Sequence, residues 1–168
     1  MKRILLINDC KDMSLEIKER KASRAIMFCD DKLVMIRSKK YGEYKFPGGG
    51  LKSGEFLKDT LVREVLEETG LDVERKSIKE FGKVEEVHPD SYERGKIFKN
   101  VSYYFLCNYT DNGKTSNMDD YEIEFGYEVC HVDIDKAISE NIKVINSGPT
   151  WVKREIEVLQ YIKEHFKL

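Results

Sequence analysis

Three glutamates, Glu64, Glu67 and Glu68, follow Arg63 in a segment that reads GGLKSGEFLKDTLVREVLEETGL from Gly49 to Leu71. Their spacing of three and four residues places them within an arc of roughly 100° on an α-helix, so three like charges share one face. The C-terminal end of a helix already presents partial negative charge, and a cation is needed to offset the crowding. Leu57 and Leu61 fall on the same face one to two turns earlier, which aims the carboxylates toward the protein body or a cleft beside it. Clustered carboxylates in such a place raise one another's pKa or bind metal, and an oxygen-only donor set favours a hard divalent ion, Mg²⁺ or Mn²⁺. The same pattern also describes a solvated acidic helix end screened by Arg63, and helix geometry alone does not separate the two.

The full spacing adds more. Gly49, five residues, Glu55, seven residues and then Arg63-Glu64-Val65-Leu66-Glu67-Glu68-Thr69-Gly70-Leu71 fit every fixed position of the Nudix box, so the chain resembles the Nudix hydrolases. Lys45-Phe46-Pro47-Gly48 lead into it. The resemblance implies an α/β fold, a Nudix-type α/β/α sandwich with a mixed β-sheet. It also implies a divalent-metal-dependent pyrophosphohydrolase that cleaves the diphosphate bond of a nucleoside diphosphate linked to another group, such as a nucleoside triphosphate or an ADP-ribose-like nucleotide. In that reading Glu67 and Glu68 hold the metal most directly, Glu64 binds metal or helps activate the water, and the Gly49 carbonyl completes the shell. Glu55 and Arg63 become a supporting ion pair that fixes the helix against the glycine loop.

Nudix enzymes often recruit a further carboxylate from outside the box. Glu124 is the first choice and Glu122 the next, because a loop there can reach over the metal cleft; Glu128, Glu85 and Glu86 are the remaining candidates. The competing class is a catalytically silent Nudix module that senses a nucleotide. Intact glutamates, with no DNA-binding motif or appended domain in view, favour the enzyme.

The glycines have a rival reading that fails on spacing. Gly49 and Gly54 have the gap of a phosphate-binding P-loop, but Glu55 stands where that loop needs lysine followed by serine or threonine. The Gly48-Gly49-Gly50 run instead lets the backbone approach a metal or phosphate closely. His88, His131 and His165 offer no metal spacing, and His131 reads as packed within a strand. Tyr41, Tyr44, Tyr92 and Phe125 flank the box or its loops and could stack on a base, although packing explains each as well.

Strands must position this helix. Lys2 to Ile7 predicts an N-terminal strand; Ala22 to Cys29 and Lys32 to Arg37, joined at Asp30-Asp31, predict a hairpin. Tyr44 to Phe46 is a short strand, and the box helix starts near Ser53 and stops at Gly70. Leu71 to Val87, interrupted near Glu74 to Ser77, and Ile97 to Tyr109 are longer strands, and Tyr127 to Val132 is another. Asp133 or Asp135 caps a helix ending near Asn141, and Pro149 enters a last helix with Val152, Ile156, Leu159, Ile162 and Phe166 in a stripe. Residues 88–95 and 111–120 read as loops.

A length of 168 residues with 40% hydrophobic and 36% charged content suits one soluble domain over 1–168, residues 1–20 being a possible N-terminal strand extension that makes a homodimer plausible. A net charge of -2 gives no basic footprint for duplex nucleic acid, so a small anionic nucleotide diphosphate substrate is held through a bound cation. The run Ile4 to Ile7 is too short for a signal segment, and no stretch approaches the ~20 apolar residues of a membrane span. Cys10, Cys29, Cys107 and Cys130 lack paired spacing and read as reduced thiols of a cytoplasmic protein.

Overall fold

The chain runs β1 (Arg3–Asn8), β2 (Glu16–Ile26), β3 (Phe28–Cys29), β4 (Lys32–Arg37), β5 (Tyr44–Lys45), β6 (Gly48–Gly50) and α1 (Leu57–Thr69). It continues with β7 (Asp72–Val73), β8 (Lys79–Pro89), β9 (Lys96–Leu106), β10 (Tyr109–Thr110), α2 (Asp120–Phe125), β11 (Glu128–Val132), α3 (Ile134–Lys143) and α4 (Val152–Phe166). The structure, a computed structural model, describes residues 1–10, 12–90, 92–117 and 120–167, without the side chains of 120–122.

One sheet has the order β1-β8-β9-β2-β6 and is mixed: β1 runs parallel to β8 and β2 parallel to β9, while β8 with β9 and β2 with β6 are antiparallel. A second, antiparallel sheet has the order β11-β4-β3, with β5 also paired to β4. Successive residues of a strand point to opposite faces, and here they feed two apolar clusters. Ala25, Val34 and Phe105 join Leu61 and Val65 of α1, whereas Ile26, Leu33, Met35 and Tyr104 join Val158, Leu159 and Ile162 of α4. The result is the expected α/β/α sandwich with a mixed sheet. Among the described residues, no helix is long and apolar enough to cross a membrane.

Five local expectations need correction. The hairpin of Ala22 to Cys29 with Lys32 to Arg37 does not form as one unit, because the chain leaves the first sheet at Met27, whose carbonyl accepts the Val34 N–H. Only Phe28–Cys29 pairs with β4. The box helix starts at Leu57 rather than Ser53, since Gly54 has φ +83° and the Glu55 N–H closes a turn on the Lys52 carbonyl. The strand before the 88–95 loop continues through Pro89, and residues 120–125 form a helix whose last carbonyls accept the N–H groups of Lys39 and Lys40. His131 is exposed, its ring 3.5 Å from the Tyr109 hydroxyl.

Candidate active site

The turn before α1 fixes the first side chain of the site. Glu55 accepts hydrogen bonds from the Lys52 N–H at 3.0 Å and the Thr60 hydroxyl at 2.9 Å, then takes Arg63 in a two-point grip, Nε at 2.6 Å and Nη2 at 2.9 Å. Arg63 beside it, helped by the Lys52 amide, holds the Glu55 carboxyl down at about 2. The other side of the guanidinium serves the box glutamates: Nη1 donates to Glu64 Oε1 at 2.6 Å and to Glu67 Oε2 at 2.8 Å. Nη2 also reaches the Gly50 carbonyl at 3.3 Å, tying helix to glycine strand. Arg63 is therefore the cation that the crowded carboxylates require.

Glu68 takes a different partner because its position on α1 turns it inward. It is 2% exposed, receives the Lys45 ammonium at 2.7 Å and the Gly48 N–H at 2.6 Å, and so locks the helix end to β5 and β6. Lys45 also lies 4.2 Å above the Tyr127 ring. Gly48 has φ +136°, and a Cβ there would strike the Ser23 carbonyl of the neighbouring strand. At Gly49 a Cβ would occupy the place of the Glu64 carboxylate. Only a bare backbone lets Glu64 lie against this strand.

Among the described residues, no three carboxylate, imidazole or thiol side chains gather to hold a metal ion in this arrangement. Glu64 and Glu67 meet on Arg63 instead, and a divalent ion would compete with the guanidinium for their oxygens. The donor set still fits such an ion. Carboxylates and backbone carbonyls are hard oxygen donors, and the bare Gly49 strand leaves Glu64 room to bind beside it.

Beyond Gly48 and Gly49 the lining changes sign. A cavity of about 180 Å³ is walled by Arg20, Arg24, Lys45, Tyr127, Trp151 and Arg154. It adjoins a second cavity that shares Arg20, Arg24, Trp151 and Arg154 and extends to Glu86, His88 and Phe98. Arg154 is 3% exposed and held between Glu86, at 2.7 Å, and Glu155. Both carboxylates raise the pKa of Arg154 well above the ordinary arginine value against the cost of burial. Glu155 in turn accepts the Phe46 N–H at 3.1 Å.

Sequence reasoning missed this basic wall. A signal existed in Arg24, a charge within the run Ala22-Ser23-Arg24-Ala25-Ile26, and in Trp151, the chain's one tryptophan. The structure brings Glu55, Arg63, Glu64, Glu67, Glu68 and Gly49 together, as expected of the box. It does not bring Glu124 to them: that side chain is exposed and paired with Lys40 at 2.9 Å, on a helix docked against residues 38–40. Glu122 lies outside the described side chains. Glu128 pairs with Arg37 and Lys39, and Glu85 with Arg3, Lys83 and Lys99. Of the four outer carboxylates whose side chains are described, Glu86 is the one in the cleft, held by Arg154 and Asn100. Tyr44 is buried, Tyr92 projects at a loop tip, and Tyr41 packs with Phe125; the aromatic side chains lining the two cavities are instead Tyr127, Trp151 and Phe98.

Comparison with known proteins places this geometry. The NUDIX domain model matches residues 18–145. ADP-ribose pyrophosphatase of Methanocaldococcus jannaschii is 30% identical over 127 residues, covering 74% of this chain and 71% of that protein. The uncharacterised Nudix hydrolase YvcI of Bacillus subtilis is 33% identical over 52 residues, so the match spans only 31% of this chain and 33% of that relative. Among solved structures, the MutT NUDIX hydrolase from Burkholderia pseudomallei superposes with a TM-score of 0.52 at 20% identity, covering 70% of this chain and 85% of that one.

Proposed function

The chain belongs to the Nudix hydrolase family, and on that premise we propose that it hydrolyses the diphosphate bond of a nucleoside diphosphate linked to another group, with Mg²⁺ or Mn²⁺ bound. One observation carries the reading. An acidic wall of Glu64 and Glu67 and a basic wall of Arg20, Arg24 and Lys45 share Gly48 and Gly49 as their common border. A diphosphate and its counter-cation need that pairing of walls.

In this reading Glu64, Glu67 and Glu68 hold the ion with the Gly49 carbonyl, and the ion supplies charge neutralisation at the phosphate oxygens and a more acidic water. Glu64, which lies against Gly49, binds the ion or helps activate the attacking water by taking its proton. Glu55 and Arg63 are positioning residues: their two-point pair sets the angle of α1 and presents Glu64 and Glu67 toward the glycine strand. Arg20 and Arg24 orient the phosphates from the other side and keep them from rotating away. Strands common to both apolar clusters support one domain over 1–168, with residues 1–20 supplying β1 and the start of β2 to its sheet. Four free cysteines fit a cytoplasmic protein. A homodimer remains part of the proposal, to be read from molecular mass in solution.

The test is a panel of nucleotides, ADP-ribose and nucleoside triphosphates included, assayed for monophosphate or phosphate release with Mg²⁺ or Mn²⁺ beside Glu67→Gln. Metal-dependent release that the substitution abolishes supports the hydrolase. Equal inertness of both proteins, with a nucleotide still bound, would instead make the chain a sensing module.

A further inference from the structure

Arg24 is the unbalanced group of the basic wall. It is 7% exposed, yet its Nη1 donates only to the backbone carbonyls of Phe46 and Gly48, at 3.3 and 3.2 Å. Among the described residues its Nε has no hydrogen-bond partner, and no carboxylate lies within ion-pair distance. A buried guanidinium without a matched anion is costly, because neutral carbonyls replace only part of its hydration. The acids nearby relieve it only through space: Glu86 feels its charge but is hydrogen-bonded to Arg154, Glu155 is bonded to Arg154 as well, and Glu68 to Lys45.

Two further features address the same space. Arg20, from two residues earlier on β2, lines both cavities that Arg24 lines. On the opposite side stand Thr150 and Trp151, which lead into the 15-residue helix α4; Trp151 occupies the N-cap position and no side chain caps the helix. A helix start presents unsatisfied N–H groups and partial positive charge, and anions settle there. The cavity of about 180 Å³ is smaller than the ~300 Å³ at which pockets begin to hold drug-sized ligands, so it suits a compact group rather than a nucleobase.

We propose that this cavity, between β2 and the start of α4, is a phosphate subsite that takes a third phosphate contiguous with the scissile diphosphate. The substrate is then of the triphosphate type rather than a diphosphate joined to a neutral sugar. The assignment deepens the hydrolase reading and rests on it for the word substrate; binding of the anion does not. The guanidinium groups of Arg24 and Arg20 donate to the phosphate oxygens, Trp151 closes the cavity, and Arg154 stays with its two glutamates as a brace.

The test separates the two ideas by leaving the metal out. Inorganic tripolyphosphate and pyrophosphate are titrated calorimetrically, in excess chelator, into the wild-type chain, Arg24→Lys and Arg20→Gln. Tripolyphosphate is expected to bind at least about tenfold more tightly than pyrophosphate, and each substitution to remove about tenfold of that affinity, the scale of one charge-assisted hydrogen bond. Quenching of the single tryptophan should follow the same titration. Equal binding of the two probes, or tripolyphosphate binding unchanged in both variants, overturns the subsite. Should Arg24→Lys fail to fold by thermal melting, the exposed Arg20→Gln decides alone. If tripolyphosphate binds as expected while no nucleotide is hydrolysed with Mg²⁺ or Mn²⁺, the subsite stands and the hydrolase reading falls.

Discussion

On the α1 side of Gly48 and Gly49, Glu55, Glu64 and Glu67 share one cation, Arg63; on the β2 side, Arg20 and Arg24 stand beside an Arg154 that already holds both nearby acids. The acidic wall is satisfied internally, each of those carboxylates closing on the guanidinium, whereas in the basic wall the buried Arg24 Nε has no partner among the described residues. The two walls therefore differ in what they await. On the proposed function, a metal entering the first would have to displace Arg63 from Glu64 and Glu67, while an anion entering the second would meet a guanidinium whose Nε has no partner among the described residues. Two glycines bring the walls to the same strand: Gly48 has no room for a Cβ against the Ser23 backbone, and Gly49 leaves the Glu64 carboxylate its place.

The comparison breaks most sharply at Glu67. Its side chain is about one-third exposed and its Arg63 bond is one of several, so Glu67→Gln should fold normally and lose on the order of 10³ in kcat, with metal-free tripolyphosphate binding unchanged. Loss of anion binding as well would mean that the walls act as one unit. Glu68→Gln is a poorer probe, since removing one charge of the buried Glu68–Lys45 pair costs about 3–5 kcal/mol in folding.

A smaller effect is expected at the border. Gly49→Ala drives a methyl into the Glu64 carboxylate, the movable end of a side chain, and should cost the fold less than about 1 kcal/mol in urea unfolding while Glu64 is pushed off the strand and metal affinity is lowered. Arg24→Lys tripolyphosphate affinity is the matching measurement on the other wall.

Acid sharpens the contrast further. The folded Glu55 carboxyl titrates near 2, below the ordinary value of 4.5, so its ionised form is the one that favours the fold. That contribution is complete above pH 4.5 and is lost as pH falls toward 2. Glu55→Gln should thus flatten the dependence of unfolding free energy on pH between about 4.5 and 2, read by denaturant titration, and leave it unchanged above pH 5. The smallest effect belongs to Glu124→Gln, which breaks only an exposed pair with Lys40 and should alter kcat/KM by less than about twofold.

The box was readable because its chemistry is local. Glu55, Arg63, Glu64 and Glu67 lie within 13 consecutive residues, and helix periodicity brings Arg63 within reach of Glu67 without help from the rest of the chain. Strand alternation likewise exposed the two-faced sheets through Val101, Tyr103 and Phe105. Glu124 misled for the opposite reason: proximity in sequence to a plausible loop says nothing about which partner the side chain finds, and the docking of α2 on residues 38–40 gave it Lys40.

The sequence by itself determined the acidic half of this protein, because spacing along one helix is a short-range consequence of backbone geometry, and the resemblance carried by the same box implied the α/β layering and the family. Only the tertiary structure decided the basic half. Arg20 and Arg24 on β2 reach Trp151 and Arg154 at the start of α4 across more than 120 residues of chain, through a mixed sheet and a helix whose packing no local pattern encodes. Burial then turned Arg24 from an ordinary charge into an unmet one, since a guanidinium matters as a binding group where water has been removed from it.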